Sequence, residues 1–441
     1  MICKYPAKCL SLQFKSEGMT DEQYINFDEY IRQGEPQKQA RADAWRVAIG
    51  LQAVDGLKTS AYLQETARRN IEGDITIDEA KELVNQYYIK KTAHDEGNAN
   101  VEEADKVSTN ISKLLQTDSF TYSVAGFAAI HKAIFEGVFK HAGLFRDYDI
   151  TKKEWVLRGD TVFYAHCEDL GMTLQYDLDQ ERQFNYKSLD KNQLVEHIAK
   201  FVSGLWQIHP FGEGNTRTTA IFTIKYLRSL GFDVNNDLFE QHSWYFRNAL
   251  VRANYRNVAK GIDYEPLFLV RFFRNLLLGE DNALKNRYMM INPPEEWKMP
   301  EAGQAQDKYR TSTGQVQDKL PDKYPASTPQ APDKLPDKLP DKLPDKLPDK
   351  LPDKLPDKFS TKNQKIISLV MVVGLEEFSI KEMLEHLGLK NRESFMEVYL
   401  EPALKEKFVR RFYPDKLHHP RQKYLLTAKG IMLYNEIMGN Q

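Results

Sequence analysis

At 441 residues the chain is too long for one ordinary domain, so about two to four units are expected. A hydrophobic fraction of 41% and an aromatic fraction of 11% suffice for a sizeable core, and a formal net charge of −2 excludes a global field directed at nucleic acid or a membrane. The three cysteines, Cys3, Cys9 and Cys167, are odd in number and lack metal-site spacing, which fits reduced thiols in a cytoplasm. The N-terminal stretch has no apolar core of signal-peptide length and no run approaches membrane-spanning length. The expectation is a soluble cytoplasmic multidomain protein.

In chain order, residues 1–95 read as a helical N-terminal region. Its clearest segment is TIDEAKELVNQYYIKK, capped by Thr76 or Asp78. Residues 96–294 read as a mostly helical second unit. SVAGFAAIHKAIFEGVF keeps its apolar residues on one face, and NQLVEHIAKFVSGLWQI does so through Leu194, Ile198, Phe201, Val202 and Leu205. Alternating β-formers around Arg158-Gly159-Asp160 predict a β-hairpin at about 149–166. Residues 295–358 read as a tether, with strict DKLP repeats from about Asp333 to Lys358 and looser versions before them. Proline at every fourth position forbids helix while Asp and Lys keep the segment solvated, so an extended, disordered linker is expected. Residues 359–441 read as three helices followed by a two-stranded hairpin, with Ser379 capping the second helix and Gly388 ending it. That order resembles a winged helix-turn-helix. The fold class is therefore mainly α: a helical core with a short hairpin, plus a small α+β C-terminal domain.

The densest chemistry lies in HPFGEGNTRTTA, residues 209–220, between a helix ending near Ile208 and one expected from Thr218 to Leu230. A helix N-terminus presents unpaired amides and partial positive charge, which favour an anion. Gly212 and Gly214 let a ligand approach the backbone, and Arg217 can fork around phosphate oxygens. Glu213 sits badly beside an anion unless a cation stands between them, which points to Mg²⁺. His209 at the mouth can accept a proton at neutral pH. These parts amount to a phosphate cradle, a metal carboxylate and a base.

The stretch resembles the signature of the Fic (Fic/Doc) family, H-x-F-x-[D/E]-G-N-G-R-x-x-R, through His209, Phe211, Glu213, Gly214, Asn215 and Arg217. The segments IHKAIFEGVFKHAGLFRDYDI and WYFRNALVRANY resemble the same family's flanking helices, so the likeness covers about 100–290. It implies a protein adenylyltransferase that moves AMP from ATP to a Tyr, Thr or Ser hydroxyl of a target protein, or of the chain itself. His209 is then the base. Phe211, Gly212, Glu213, Gly214, Asn215, Thr216 and Arg217 form the ATP cradle, with Glu213 holding Mg²⁺. The 149–166 hairpin becomes a flap that holds the target's backbone, with Val156, Val162 and Phe163 facing it. Two positions depart from the signature: Thr216 stands at the second glycine and Ala220 at the second arginine. Transfer of another phosphate-containing group is an alternative. So is a nucleotide-sensing transcription regulator, although such a sensor has no need of a base and a metal carboxylate together.

The N-terminal stretch AIGLQAVDGLKTSAYLQETARRNIEGDITIDEAKELV is similar to a VbhA-type antitoxin, as in a toxin–antitoxin pair fused in one chain. This implies an inhibitory acid and packing of the N-terminal region on the catalytic domain. Asp55 in LQAVDG and Glu72 in RRNIEG are the candidates, and distance from the GDITIDEAKELV helix favours Asp55. In the C-terminal domain, Arg410, Arg411, Lys416, Arg421 and Lys423 form a basic cluster that could meet DNA phosphates. Residues 360–441 carry thirteen Lys/Arg against ten Asp/Glu, a weak excess for a DNA binder, and a protein partner is an equal expectation.

Overall fold

The computed structural model describes residues 25–90, 96–232, 234, 237–294, 297, 361–413, 419 and 421–439. The DKLP linker, Cys3, Cys9 and Lys416 lie outside these residues. Helices dominate. The N-terminal set is α1 (Phe27–Gln33), α2 (Pro36–Gly50), α3 (Ala61–Glu72) and α4 (Ile77–Lys90). Then come α5 (Glu96–Leu115), α6 (Val124–Phe135), α7 (Leu170–Gln183), α8 (Lys191–Ile208), α9 (Asn215–Ser229), α10 (Asp237–Gln241), α11 (Ser243–Ala253) and α12 (Leu267–Phe273). The C-terminal set is α13 (Gln364–Val373), α14 (Ile380–His386), α15 (Arg392–Phe395), α16 (Glu401–Lys405) and α17 (Ala428–Gly439). Strands β1 (Val409–Arg411) and β2 (Tyr424–Leu426) precede α17 and pair antiparallel, with Arg410 opposite Leu425. Among the described residues no helix is long and apolar enough to cross a membrane.

Local chemistry explains the helix boundaries. Thr76 and Glu79 cap α4 reciprocally: the Thr76 hydroxyl accepts from the Glu79 amide, and the Glu79 carboxylate accepts from the Thr76 amide. Asp190 with Gln193 forms the same box at α8, and Ser379 with Glu382 at α14.

Among the described residues three apolar clusters form. One, inside the N-terminal helices, holds Trp45, Leu63, Ile71 and Val84. A second lies inside the C-terminal domain. The large central cluster is built on α6, α8, α9, α11 and α12, yet it includes Ala44, Val47, Ala48, Leu51 and Val54. Helix α2 thus buries opposite faces in two cores, and the 3₁₀ turn Leu51–Asp55 that follows it is pressed into the central one. The C-terminal domain also joins this core through Ala428 and Met432 of α17. The Asn435 amide donates to the carbonyls of Lys187 (3.0 Å) and Leu189 (3.3 Å), and Lys191 pairs with Glu436.

The segment 149–166 corrects the expected hairpin: none of its residues is in a strand. The chain does reverse, and the Glu154 amide donates to the Asp160 carbonyl at 2.9 Å. Between them, however, lies a 3₁₀ turn, Trp155–Leu157, that buries the adjacent residues Val156 and Leu157 together and so breaks the alternation a strand needs. The Val156 carbonyl and the Arg158 side chain are engaged outside the segment. Ile291 N–H donates to the Val156 carbonyl at 2.9 Å, and the Arg158 guanidinium donates to the carbonyls of Ile291 and Asn292.

Candidate active site

Helix α8 ends at His209, a non-glycine residue in the left-handed region (φ 51, ψ 56). Holding it there costs about 1–2 kcal/mol, so the surroundings must enforce the conformation. Arg146 does much of this. Its Nε donates to the His209 carbonyl (2.9 Å), one terminal nitrogen donates to the Tyr148 carbonyl (2.7 Å), and the other donates to the Ala165 carbonyl. The Arg146 amide adds a bond to the Pro210 carbonyl at 2.9 Å. One buried guanidinium thereby fastens both ends of the 149–166 segment to the loop after α8.

The His209 ring is buried between Tyr164 (centroids 4.2 Å apart) and Trp206. Its Nδ1 lies 3.2 Å from the Trp206 carbonyl, which can only accept, so Nδ1 carries the proton and Nε2 keeps a lone pair. Burial depresses its pKa well below the usual histidine value, and the charges of Lys152, Arg247 and Arg146 add to this. The ring is a neutral base at physiological pH.

Phe211 is fully buried and stacks on His131, with centroids 3.7 Å apart. The Asn215 amide grips the Phe211 backbone from both sides, accepting from its N–H (2.9 Å) and donating to its carbonyl (2.7 Å). His131 accepts from the Gly143 amide and donates to the Glu213 carbonyl at 3.1 Å, and burial lowers its pKa to about 4. Gly214, at φ 74, caps α9; a Cβ there would fall 2.2 Å from the Phe135 ring. A Cβ on Gly212 would fall 2.8 Å from the Tyr148 hydroxyl.

Helix α9 starts at Asn215, three residues before the sequence pattern places it. The first-turn amides of Asn215, Thr216 and Arg217 therefore have no acceptor within the helix and form the cradle's donor edge. The Thr216 hydroxyl turns inward and accepts from the Trp206 indole at 2.9 Å. Ala220 is completely buried.

Two expected roles look different in three dimensions. Arg217 is 2% exposed and held by protein groups: Gln52 Oε1 at 3.1 Å, Glu103 Oε1 at 2.8 Å and Asp55 Oδ2 at 2.9 Å. Its guanidinium also lies over the Phe135 ring. The Asp55 contact is an ion pair at Nε without hydrogen-bond alignment. Glu72, the other acid singled out in the sequence, pairs with Lys38 at 2.9 Å. In the 149–166 segment Val156 and Val162 are buried in the central core, and Phe163 stands 81% exposed.

Glu213 points outward with its side chain 59% exposed, and Lys152 Nζ lies 3.3 Å from Oε2. Among the described residues no cluster of three or more His, Cys, Asp or Glu side chains forms a metal cage. One exposed carboxylate fits Mg²⁺ of the kind that keeps its waters and shares substrate phosphates.

Arg146, Lys152, Gln52, Glu103 and His131 join the site without having been singled out in the sequence. Arg146 sits in a stretch recognised as family-like but carries no local signal of its role. Gln52 and Glu103 reach Arg217 from more than a hundred residues away in the chain.

Residues 121–227 match the family model described as Fic/DOC family, and residues 364–427 match that of the Fic-like C-terminal domain. The chain is similar to a probable protein adenylyltransferase Fic of Escherichia coli (strain K12), 28% identical over 117 residues, covering 26% of this chain and 54% of that protein. It is also similar to the protein adenylyltransferase VbhT of Bartonella schoenbuchensis, 27% identical over 128 residues, covering 29% and 25%. The chain thus spans about half, or less, of the length of these curated relatives. Among solved structures, a Fic family protein from Desulfovibrio desulfuricans G20 aligns over 91% of this chain and 93% of its own, with 15% identity and a TM-score of 0.38. The BepC protein with bound AMPPNP from Bartonella tribocorum aligns over 42% and 90%, with 19% identity and a TM-score of 0.34. The loop built on His209, Phe211, Glu213 and Asn215 lies inside the matched region, so residues 121–227 carry a Fic/DOC domain and residues 364–427 a Fic-like C-terminal domain.

Proposed function

We propose that the protein is an adenylyltransferase that moves AMP from ATP to a hydroxyl of a target protein, or of the chain itself. The observation that carries the reading is His209: neutral, with Nε2 free, held in a strained backbone conformation directly before the α9 amide cradle. The hydroxyl oxygen attacks the α-phosphorus as His209 Nε2 takes its proton. The bond from the α-phosphorus to the bridging oxygen breaks, and pyrophosphate leaves with the electron pair. The first-turn amides of α9 offset the phosphate charge. Mg²⁺ held by Glu213 would supply further charge neutralisation at the phosphates.

Asp55, on its 3₁₀ turn, acts as an inhibitory acid. Together with Gln52 and Glu103 it occupies the guanidinium of Arg217, which a nucleotide would otherwise use. The N-terminal region is in this reading a restraint packed on the catalytic helices. Asp55 stands where the antitoxin-like pattern places its acid, and its partner is Arg217, since the position of the second arginine is Ala220.

The test is incubation of the full chain and a protein extract with ATP labelled at either the α- or the γ-phosphate. Label from the α-position in protein, lost in His209→Ala, is expected. Label from the γ-position only, or none from either, refutes AMP transfer.

A further inference from the structure

Position 220 carries no cation, and Arg217 is enclosed by three acceptors. Other basic side chains around the mouth are also committed. Arg146 donates through its three guanidinium nitrogens to carbonyls, and Arg247 forks onto both oxygens of the buried Glu154 at 2.6 and 3.1 Å. Lys152 differs. Its ammonium, a quarter exposed, rests on the outward-facing carboxylate of Glu213 at the open end of the cradle. Its backbone is held in place, with the Lys152 amide donating to Thr161 Oγ1 (3.3 Å) inside a segment pinned by Arg146 and by the Glu154–Arg247 pair.

We infer that Lys152 is a nucleotide-contacting residue of this site, binding the β- or γ-phosphate and supplying the positive charge that Ala220 cannot. The inference rests on the nucleotide reading above. Any cation that takes the Glu213 carboxylate displaces the Lys152 ammonium from its partner. The two positive charges remain close only with anionic oxygens between them, and the outer phosphates of ATP supply those oxygens. A lysine tethered on a segment over the cradle can follow the phosphates as a point charge. The AMP portion of the nucleotide lacks the groups Lys152 would contact, so the residue discriminates by phosphate number.

The experiment is equilibrium binding of ATP and of AMP, with Mg²⁺ present, to the full chain, to Lys152→Met and to Lys152→Arg. Each is also measured in the Asp55→Ala background to release Arg217. Loss of one charge-assisted hydrogen bond predicts ATP binding weakened about tenfold or more in Lys152→Met, AMP binding unchanged, and recovery in Lys152→Arg. Equal weakening for ATP and AMP assigns Lys152 a merely structural role and overturns the inference. So does ATP binding in Lys152→Met equal to that of the parent chain. If the parent chain binds no ATP in either background, the nucleotide reading falls and takes the inference with it.

Discussion

Replacing Asp55 by alanine tests the restraint on Arg217 directly. The Arg217 guanidinium is 2% exposed, and a buried charge stripped of all partners costs about 3–5 kcal/mol. Asp55→Ala does not strip it, because Glu103 at 2.8 Å and Gln52 at 3.1 Å remain. The lost contact is an ion pair with a carboxylate 36% exposed and without hydrogen-bond alignment. Such a pair contributes about 1 kcal/mol at most. Unfolding free energy in urea should fall by about that amount, and ATP affinity should rise by up to about fivefold as Arg217 becomes easier to recruit. Asp55→Ala with Glu103→Ala should raise affinity further. The assay is ATP binding beside α-label transfer, with circular dichroism to establish that the variants are folded. A folded double variant that binds ATP no better than the parent would refute the restraint and leave Arg217 a structural residue. Removing residues 1–95 outright would be a poorer test, since it uncovers the central core where Ala44, Val47, Ala48, Leu51 and Val54 now pack.

Acid should destabilise the fold through His209 and His131, both held neutral by burial. Above the ordinary histidine pKa of about 6.5 neither state is protonated and these rings carry no penalty; below it only the unfolded chain takes up the protons, so stability falls as pH drops toward the folded values. By pH 5.5 the loss should be about 1.4 kcal/mol for each ring, read from urea midpoints, and midpoints independent of pH over 7 to 5.5 would contradict the burial argument. The transfer rate should likewise show no acid limb at or above pH 6.5. Thr216→Val leaves the Trp206 indole N–H without its acceptor and should cost about 1–3 kcal/mol in urea denaturation; a value near zero would mean that the hydroxyl at the second-glycine position is not there for Trp206.

Much of the helical framework was legible because its signals are local. The 3.6-residue periodicity of α6 and α8 and the caps of α4 and α14 depend only on residues within a turn or two. The hairpin at 149–166 was misread for the converse reason. Its alternation is real in the sequence, but the Val156 carbonyl and the Arg158 guanidinium are captured by residues 291–292, which no local pattern announces. The start of α9 was placed late because Gly214 caps it through a left-handed φ rather than through a side-chain acceptor. Helix α17 went unanticipated altogether. It docks on the central helical core, so its apolar face answers to a distant surface.

The loop 209–220 shows where the division falls. Its residue types and spacing by themselves determined that a histidine, a carboxylate and the amides of a helix N-terminus meet at one helix junction, because they lie within a few residues of chain. Only the tertiary structure decided which of those groups are free to act. The Trp206 carbonyl holds the His209 proton on Nδ1, the backbone of Phe211 engages Asn215, and residues 52, 55 and 103 enclose Arg217. Each of these depends on partners brought together by packing, and the free energy of a charge or a lone pair is set by those partners rather than by its neighbours in sequence.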